Sequence, residues 1–97
     1  IEVVTETHQA RVDGRAIRLT LTEFRLLASL IAANGRVLSR KALMSKAMGP
    51  GVTVTERTID VHITAIRKKL GDAGACLRTV RGVGYRATLD AEDDSAA

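Results

Sequence analysis

Aromatic residues, cysteine and proline are all scarce in this sequence, and each scarcity closes off a class of function. Only Phe24 and Tyr85 carry aromatic rings. Modules that hold single-stranded nucleic acid or RNA loops stack bases on aromatic platforms, so two rings argue against such ligands. One cysteine, Cys76, permits no internal disulfide framework and no Cys-based zinc cluster. The two histidines, His8 and His62, lie far apart in sequence, and no metal-ligand or cofactor grouping is read. A single proline, Pro50, together with 45% hydrophobic residues, fits a folded chain and not a disordered one. No apolar run approaches the roughly 18 residues that span a bilayer, and no signal-peptide pattern is present. A soluble protein of a reducing cytoplasm is expected, with no membrane partner. Ile1 stands where an initiator Met would, so a piece of something longer is expected. Ninety-seven residues suit one small domain with a modest core.

Charge is present in quantity but unevenly placed. The net charge is +4. Residues 1–19 balance three acids against three bases, and residues 90–97 hold four acids and no base. The segment 20–89 therefore carries +8, from twelve Lys/Arg against Glu23, Glu56, Asp60 and Asp72. A middle that basic points to a polyanionic partner, although a well-solvated surface would look the same on charge alone.

Local signals divide the chain cleanly. Residues 1–19 alternate and are punctuated by Asp13-Gly14, a hairpin-turn dipeptide, which predicts short strands near 1–5, 8–12 and 15–19. Thr20 and Glu23 form a capping box. Phe24, Leu27, Leu30 and Ile31 then recur at helical spacing until Asn34-Gly35 stops the helix. Val37-Leu38 reads as an apolar connector, and Ser39 caps a second helix through about Ala47. Met48-Gly49-Pro50-Gly51 cannot continue it. A third helix follows from about Thr55 to Leu70, ended by Gly71. Residues 77–80 and 85–89 read as two strands of a hairpin within 76–89, with Arg81-Gly82-Val83-Gly84 as the turn. Its glycines would supply positive φ and keep the tip slim. The predicted fold is α+β, a winged helix-turn-helix: an N-terminal antiparallel sheet (1–19), a three-helix core (20–70) and a C-terminal β-hairpin wing. Residues 90–97 are expected to be a disordered acidic tail.

The third helix carries most information. On a wheel of roughly 100° per residue, Ile63, Ile66 and Leu70 fall within about 40° of Ile59 and form a core stripe. The opposite face holds Arg57, Val61, Thr64 and Lys68, with Thr58 and Ala65 beside them. Asp60 and Arg67 share one flank, His62 and Lys69 the other. Singly, Val61 is an ordinary surface valine, and Lys68 and Lys69 complement the dipole at the helix C-terminus. Together, short side chains between cations suit a helix that enters the major groove of a duplex.

Three runs, Leu21-Thr22-Glu23-Phe24-Arg25-Leu26-Leu27, Thr55 to Ile63 with Arg67-Lys68-Lys69-Leu70, and Thr79 to Arg86, resemble the signature runs of OmpR/PhoB-type response-regulator effector domains. The likeness covers about residues 10–89 in order. It implies sequence-specific double-stranded DNA binding for transcriptional regulation, with two copies head to tail on tandem direct repeats. It also implies a usually four-stranded N-terminal sheet, of which this chain would lack one strand. A phosphorylatable receiver would precede the domain, and RNA polymerase would touch the loop containing Gly49, Pro50, Gly51 and Val52. Carried over by position, Arg57 and His62 would bind phosphates, and Thr58, Val61 and Arg67 would approach base edges. Thr79 and Tyr85 would hold the DNA backbone beside the wing, and Arg81 would enter the minor groove. Many members place arginines where this chain has Thr64 and Ala65, a departure that removes two expected DNA contacts and leaves the target sequence open.

An enzyme is not expected. Asp60 and His62 point in divergent directions from a helix and cannot form a relay with Ser39. Gly82-Val83-Gly84 is too short for a phosphate-cradling loop. The rival readings are a winged helix that binds protein, and an effector domain attached to a sensor other than a receiver.

Overall fold

The computed structural model describes residues 2–4, 9–49 and 54–88. The acidic tail, Leu89 and the loop residues Pro50, Gly51 and Val52 lie outside the described residues. Three short strands open the chain: β1 (Glu2–Val4), β2 (Gln9–Val12) and β3 (Arg15–Ile17), paired antiparallel in that order. Asp13 and Gly14 turn β2 into β3 with φ of 51° and 81°. Two consecutive positive φ values are the twist that a two-residue hairpin requires.

Helix α1 (Leu21–Ala32) starts at the expected capping box: the Thr20 hydroxyl accepts from the Glu23 amide, and Glu23 accepts from the Thr20 amide. Asn34 and Gly35 end it with φ of 53° and 88°. Helix α2 (Arg40–Ala47) is capped by Ser39, whose hydroxyl accepts from the Ala42 amide. The third helical run is not continuous. Residues Glu56–Thr58 form a 3-10 turn before helix α3 (Ile59–Leu70), and Gly71 stops α3 at φ 63°. A second 3-10 segment, Gly71–Cys76, leads into the wing.

Ile59, Ile63, Ile66 and Leu70 face inward as one stripe, against Leu26, Leu27, Leu30 and Leu43. All eight are buried, and burial of each large aliphatic side chain is worth roughly 1.5–3 kcal/mol. Leu26, absent from the expected stripe of α1, is buried because α1 packs on α2, α3 and the wing together.

The wing is also more closely joined to the helices than its sequence indicates. Strands β5 (Leu77–Val80) and β6 (Gly84–Ala87) pair antiparallel, and a third strand joins them: β4 (Leu38–Ser39), which takes Leu38 from the expected connector and the helix cap Ser39, pairs with β6 through Leu38–Tyr85 and Ser39–Gly84. The sheet order is β4-β6-β5. The turn is therefore Arg81–Val83, and Gly84 belongs to the strand. Only Gly82 has positive φ, at 78°. Gly84 is needed for room: a Cβ there would run into the carbonyl of Leu38.

Glu23 also ties α3 to α1. Its buried carboxylate accepts from the Lys69 ammonium at 2.6 Å. Burial alone would push the Glu23 carboxyl up, but the hydrogen bonds from Lys69 and the Thr20 amide outweigh it and hold it below its ordinary 4.5. A carboxyl depressed in the folded state stabilises the fold above its unfolded pKa, and that contribution fades as pH falls below about 4.5. Replacing it as Glu23→Gln is expected to cost about 1–2 kcal/mol at pH 7. In urea titrations the gap to wild type should narrow from about pH 4.5 downward. A gap that stays constant to pH 3 would mean that the charge is irrelevant and only the cap matters.

Candidate nucleic-acid interface

Helix α3 presents its stripe to the core and so must turn the opposite face outward. Val61 is 66% exposed there. Thr64 and Lys68 are exposed on the same face, and Arg57 is exposed on the 3-10 turn that leads into it. The Thr64 hydroxyl donates to the Asp60 carbonyl at 2.9 Å. Thr58 is half-buried, its hydroxyl donating to the Thr55 carbonyl at 3.0 Å, so its first role is to shape the start of α3. His62 is half-buried on the flank.

At the wing tip Arg81 is exposed, and Val83 beside it is 53% exposed. The Val83 amide donates to the Val80 carbonyl at 3.0 Å, which closes the turn tightly. Arg57, Val61, Thr64 and Lys68 thus share one face, and Arg81 projects from the neighbouring hairpin.

Arg67, Thr79 and Tyr85 sit differently. The Arg67 guanidinium donates to the Leu77 carbonyl at 3.0 and 2.7 Å and to the Thr79 hydroxyl at 2.9 Å, so it straps α3 to β5. Tyr85 is buried, with its hydroxyl donating to the Asp60 carboxylate. Two guanidiniums lie over its ring, Arg40 at 5.5 Å and Arg67 at 5.7 Å from the centroid. Arg40 also pairs with Asp60 at 3.0 Å. Desolvation and then the Asp60 carboxylate push the Tyr85 phenol up, while the Tyr85 and Arg40 hydrogen bonds hold Asp60 below its ordinary range. Sequence reasoning missed Arg40 and Asp60 as members of this region. Asp60 was visible on the same flank as Arg67, but its partners lie 20 and 25 residues away, beyond any local spacing signal.

Arg25 donates to the carbonyls of Ala47 and Met48 at 3.3 and 3.2 Å. It holds the end of α2 where the chain reaches Gly49, which is half-buried. Arg86 of the second wing strand is half-buried. Its Nε is buried without a hydrogen-bond partner among the described residues.

The family described as "Transcriptional regulatory protein, C terminal" matches residues 14–87. The chain belongs to this family. Among its relatives, the phosphate regulon transcriptional regulatory protein PhoB of Rhizobium meliloti (strain 1021) is 45% identical over 87 residues, 88% of this chain and 38% of the relative. The Pseudomonas aeruginosa PhoB is 41% identical over 82% of this chain and 35% of its own length. The chain thus spans little more than a third of these relatives. Among solved structures, the AdeR DNA-binding domain in complex with an intercistronic region superposes with a TM-score of 0.77 at 38% identity, covering 89% of this chain and 90% of that one. The Klebsiella pneumoniae RstA DNA-binding domain in complex with its RstA box gives 0.72 at 30% identity, over 89% and 88%. The family membership and these superpositions establish an OmpR/PhoB-type effector domain with a winged-helix fold.

Proposed function

We propose that this domain binds double-stranded DNA sequence-specifically and regulates transcription as the C-terminal part of a longer response regulator. The single observation that carries the reading is the outward face of α3. It brings an exposed Val61 and Thr64 between the cations Arg57 and Lys68, beside a wing tip that carries Arg81. Short groups let a helix backbone approach base edges, and cations meet phosphate. In this reading Val61 and Thr64 face bases, Arg57, His62 and Lys68 face phosphates, and Arg81 enters the minor groove. Thr58, Arg67, Thr79 and Tyr85 hold the frame more than they read sequence. The relatives' greater length supports a receiver ahead of this domain in a cytoplasmic regulator. Two copies would sit head to tail on direct repeats one helical turn apart, about 10–10.5 bp. The resemblance also implies that RNA polymerase would touch the loop containing Gly49, Pro50, Gly51 and Val52.

Selection from a randomised duplex library, followed by competition with single strands and scrambled duplexes, tests the reading. Enrichment of one motif, bound in preference to its single strands, is expected. No enrichment and no preference for duplex would leave a protein-binding module instead.

The wing gives a sharper result. Narrow A·T-rich minor grooves concentrate negative potential and favour an inserted arginine. Arg81→Ala should lower affinity for the selected duplex about tenfold, most where A·T pairs lie under the wing. Its melting temperature should not move, because Arg81 is exposed at the turn. Arg78→Ala is the control, an exposed strand arginine. Equal small losses from both variants would reduce the wing to general charge.

A further inference from the structure

A carboxylate is out of place on the surface just described. Asp60 precedes Val61 on α3, its side chain is 53% exposed, and the face beside it carries Arg57 and Lys68. Near a polyanion, an exposed negative charge opposes binding. Its surroundings account for its presence. Asp60 lies where three elements meet: it accepts from Arg40, the first residue of α2, and from Tyr85 of β6, while itself belonging to α3. Two turns along the same flank, Arg67 donates to Leu77 and Thr79 of β5. The Tyr85 ring lies beneath both guanidiniums. One edge of α3 is therefore sewn to both strands of the wing, with Asp60 at its start and Arg67 at its end.

Resting on the DNA-binding reading, we propose that Asp60 is a specificity-determining positioning residue: it fixes the wing and α2 against α3 so that Arg81 and the α3 face engage one target together, and it does so at the expense of non-specific affinity. A duplex of the wrong sequence gains little from the fixed angle, since phosphate attraction alone holds it. The correct duplex needs groove and wing contacts in register, and a misplaced reading group loses most of its worth. The carboxylate thus acts with opposite sign on the two kinds of complex.

That sign difference is the test. Asp60→Asn keeps the size and an acceptor for Tyr85 but removes the charge that holds Arg40. Tyr85→Phe removes the hydroxyl and leaves every charge in place. Affinities of both variants are measured on the duplex selected for the wild type and on a scrambled duplex, with thermal melts alongside. Asp60→Asn is expected to bind the scrambled duplex severalfold more tightly and the selected duplex about tenfold more weakly. Tyr85→Phe is expected to weaken the selected duplex alone. Parallel gains on both duplexes from Asp60→Asn would make Asp60 a plain charge and overturn the proposal. Parallel losses that track a lowered melting temperature would make it a folding residue and overturn it equally. Failure of the function itself would be recognised separately, in a wild type that prefers no duplex at all.

Discussion

Raising salt from 50 to 200 mM is expected to weaken duplex binding by about a thousandfold. The segment 20–89 carries +8, and Arg57, Lys68 and Arg81 are exposed where a duplex would lie. Each phosphate neutralised by such a group releases counterions, so log affinity falls linearly with log salt at about −0.9 per contact. With five to seven phosphates engaged, the slope is roughly −5 to −6. Arg67 and Lys69 add little to it, being committed to Leu77 and Thr79 in one case and to Glu23 in the other. Fluorescence titrations at four or five salt concentrations give the slope directly. A response flatter than about −2 would rule out the phosphate-dominated mode and with it the reading of the basic middle.

A comparably large effect, on stability, is expected from Gly84→Ala. The added methyl would meet the Leu38 carbonyl and lie 2.8 Å from the Ser39 Cα. These are backbone atoms of a paired strand and cannot swing aside as a side chain would. Either β4 parts from β6 or β6 shifts and drags Tyr85 out of the core. A cost of about 3 kcal/mol follows, at the upper end for overpacking. In a domain of this size it lowers the melting temperature by on the order of 15 °C. The neighbouring Gly82→Ala is the contrast: no atom lies near its absent Cβ, and only its φ of 78° resists substitution, at about 1 kcal/mol. Thermal melts of the two variants should differ clearly. Equal melts would mean that the seam between β4 and β6 yields without strain.

Those two glycines also mark how far the sequence is legible. At most places where one residue and its near neighbours decide the structure, the reading from sequence and the structure coincide. Thr20 and Glu23 cap α1, Ser39 caps α2, Asp13-Gly14 turns the first hairpin, and the isoleucines of α3 repeat with the helix. Most of what escaped depends on pairing across the chain; the 3-10 turn, set by a contact three residues long, is the exception. Leu38-Ser39 is too short to show a strand pattern and becomes one only because β6 lies beside it. Gly84 looks like a turn residue until the carbonyl opposite it is known. The 3-10 turn at Glu56–Thr58 splits a run whose composition is helical throughout, because Thr58 turns its hydroxyl back to Thr55. In the candidate site the outward face followed from periodicity alone. The inward commitment of Arg67 and Tyr85 did not, since a wheel gives direction from the helix axis and not what waits there.

The seam has a consequence for how such domains diverge. Leu38 and Ser39 pair with Tyr85 and Gly84, and Asp60 and Arg67 bind the same sheet, so every residue that sets the frame has its partners inside the protein. Val61 is largely exposed, and Lys68 projects outward beside it. The Thr64 hydroxyl donates to a backbone carbonyl of its own helix. Substitutions on that outer face can therefore accumulate without loss of fold, whereas a change at Gly84 strains the fold and a change at Asp60 or Arg67 loosens the angle between α3 and the wing. Descendants of one ancestral domain can part company in what they recognise while inheriting the same rigid chassis.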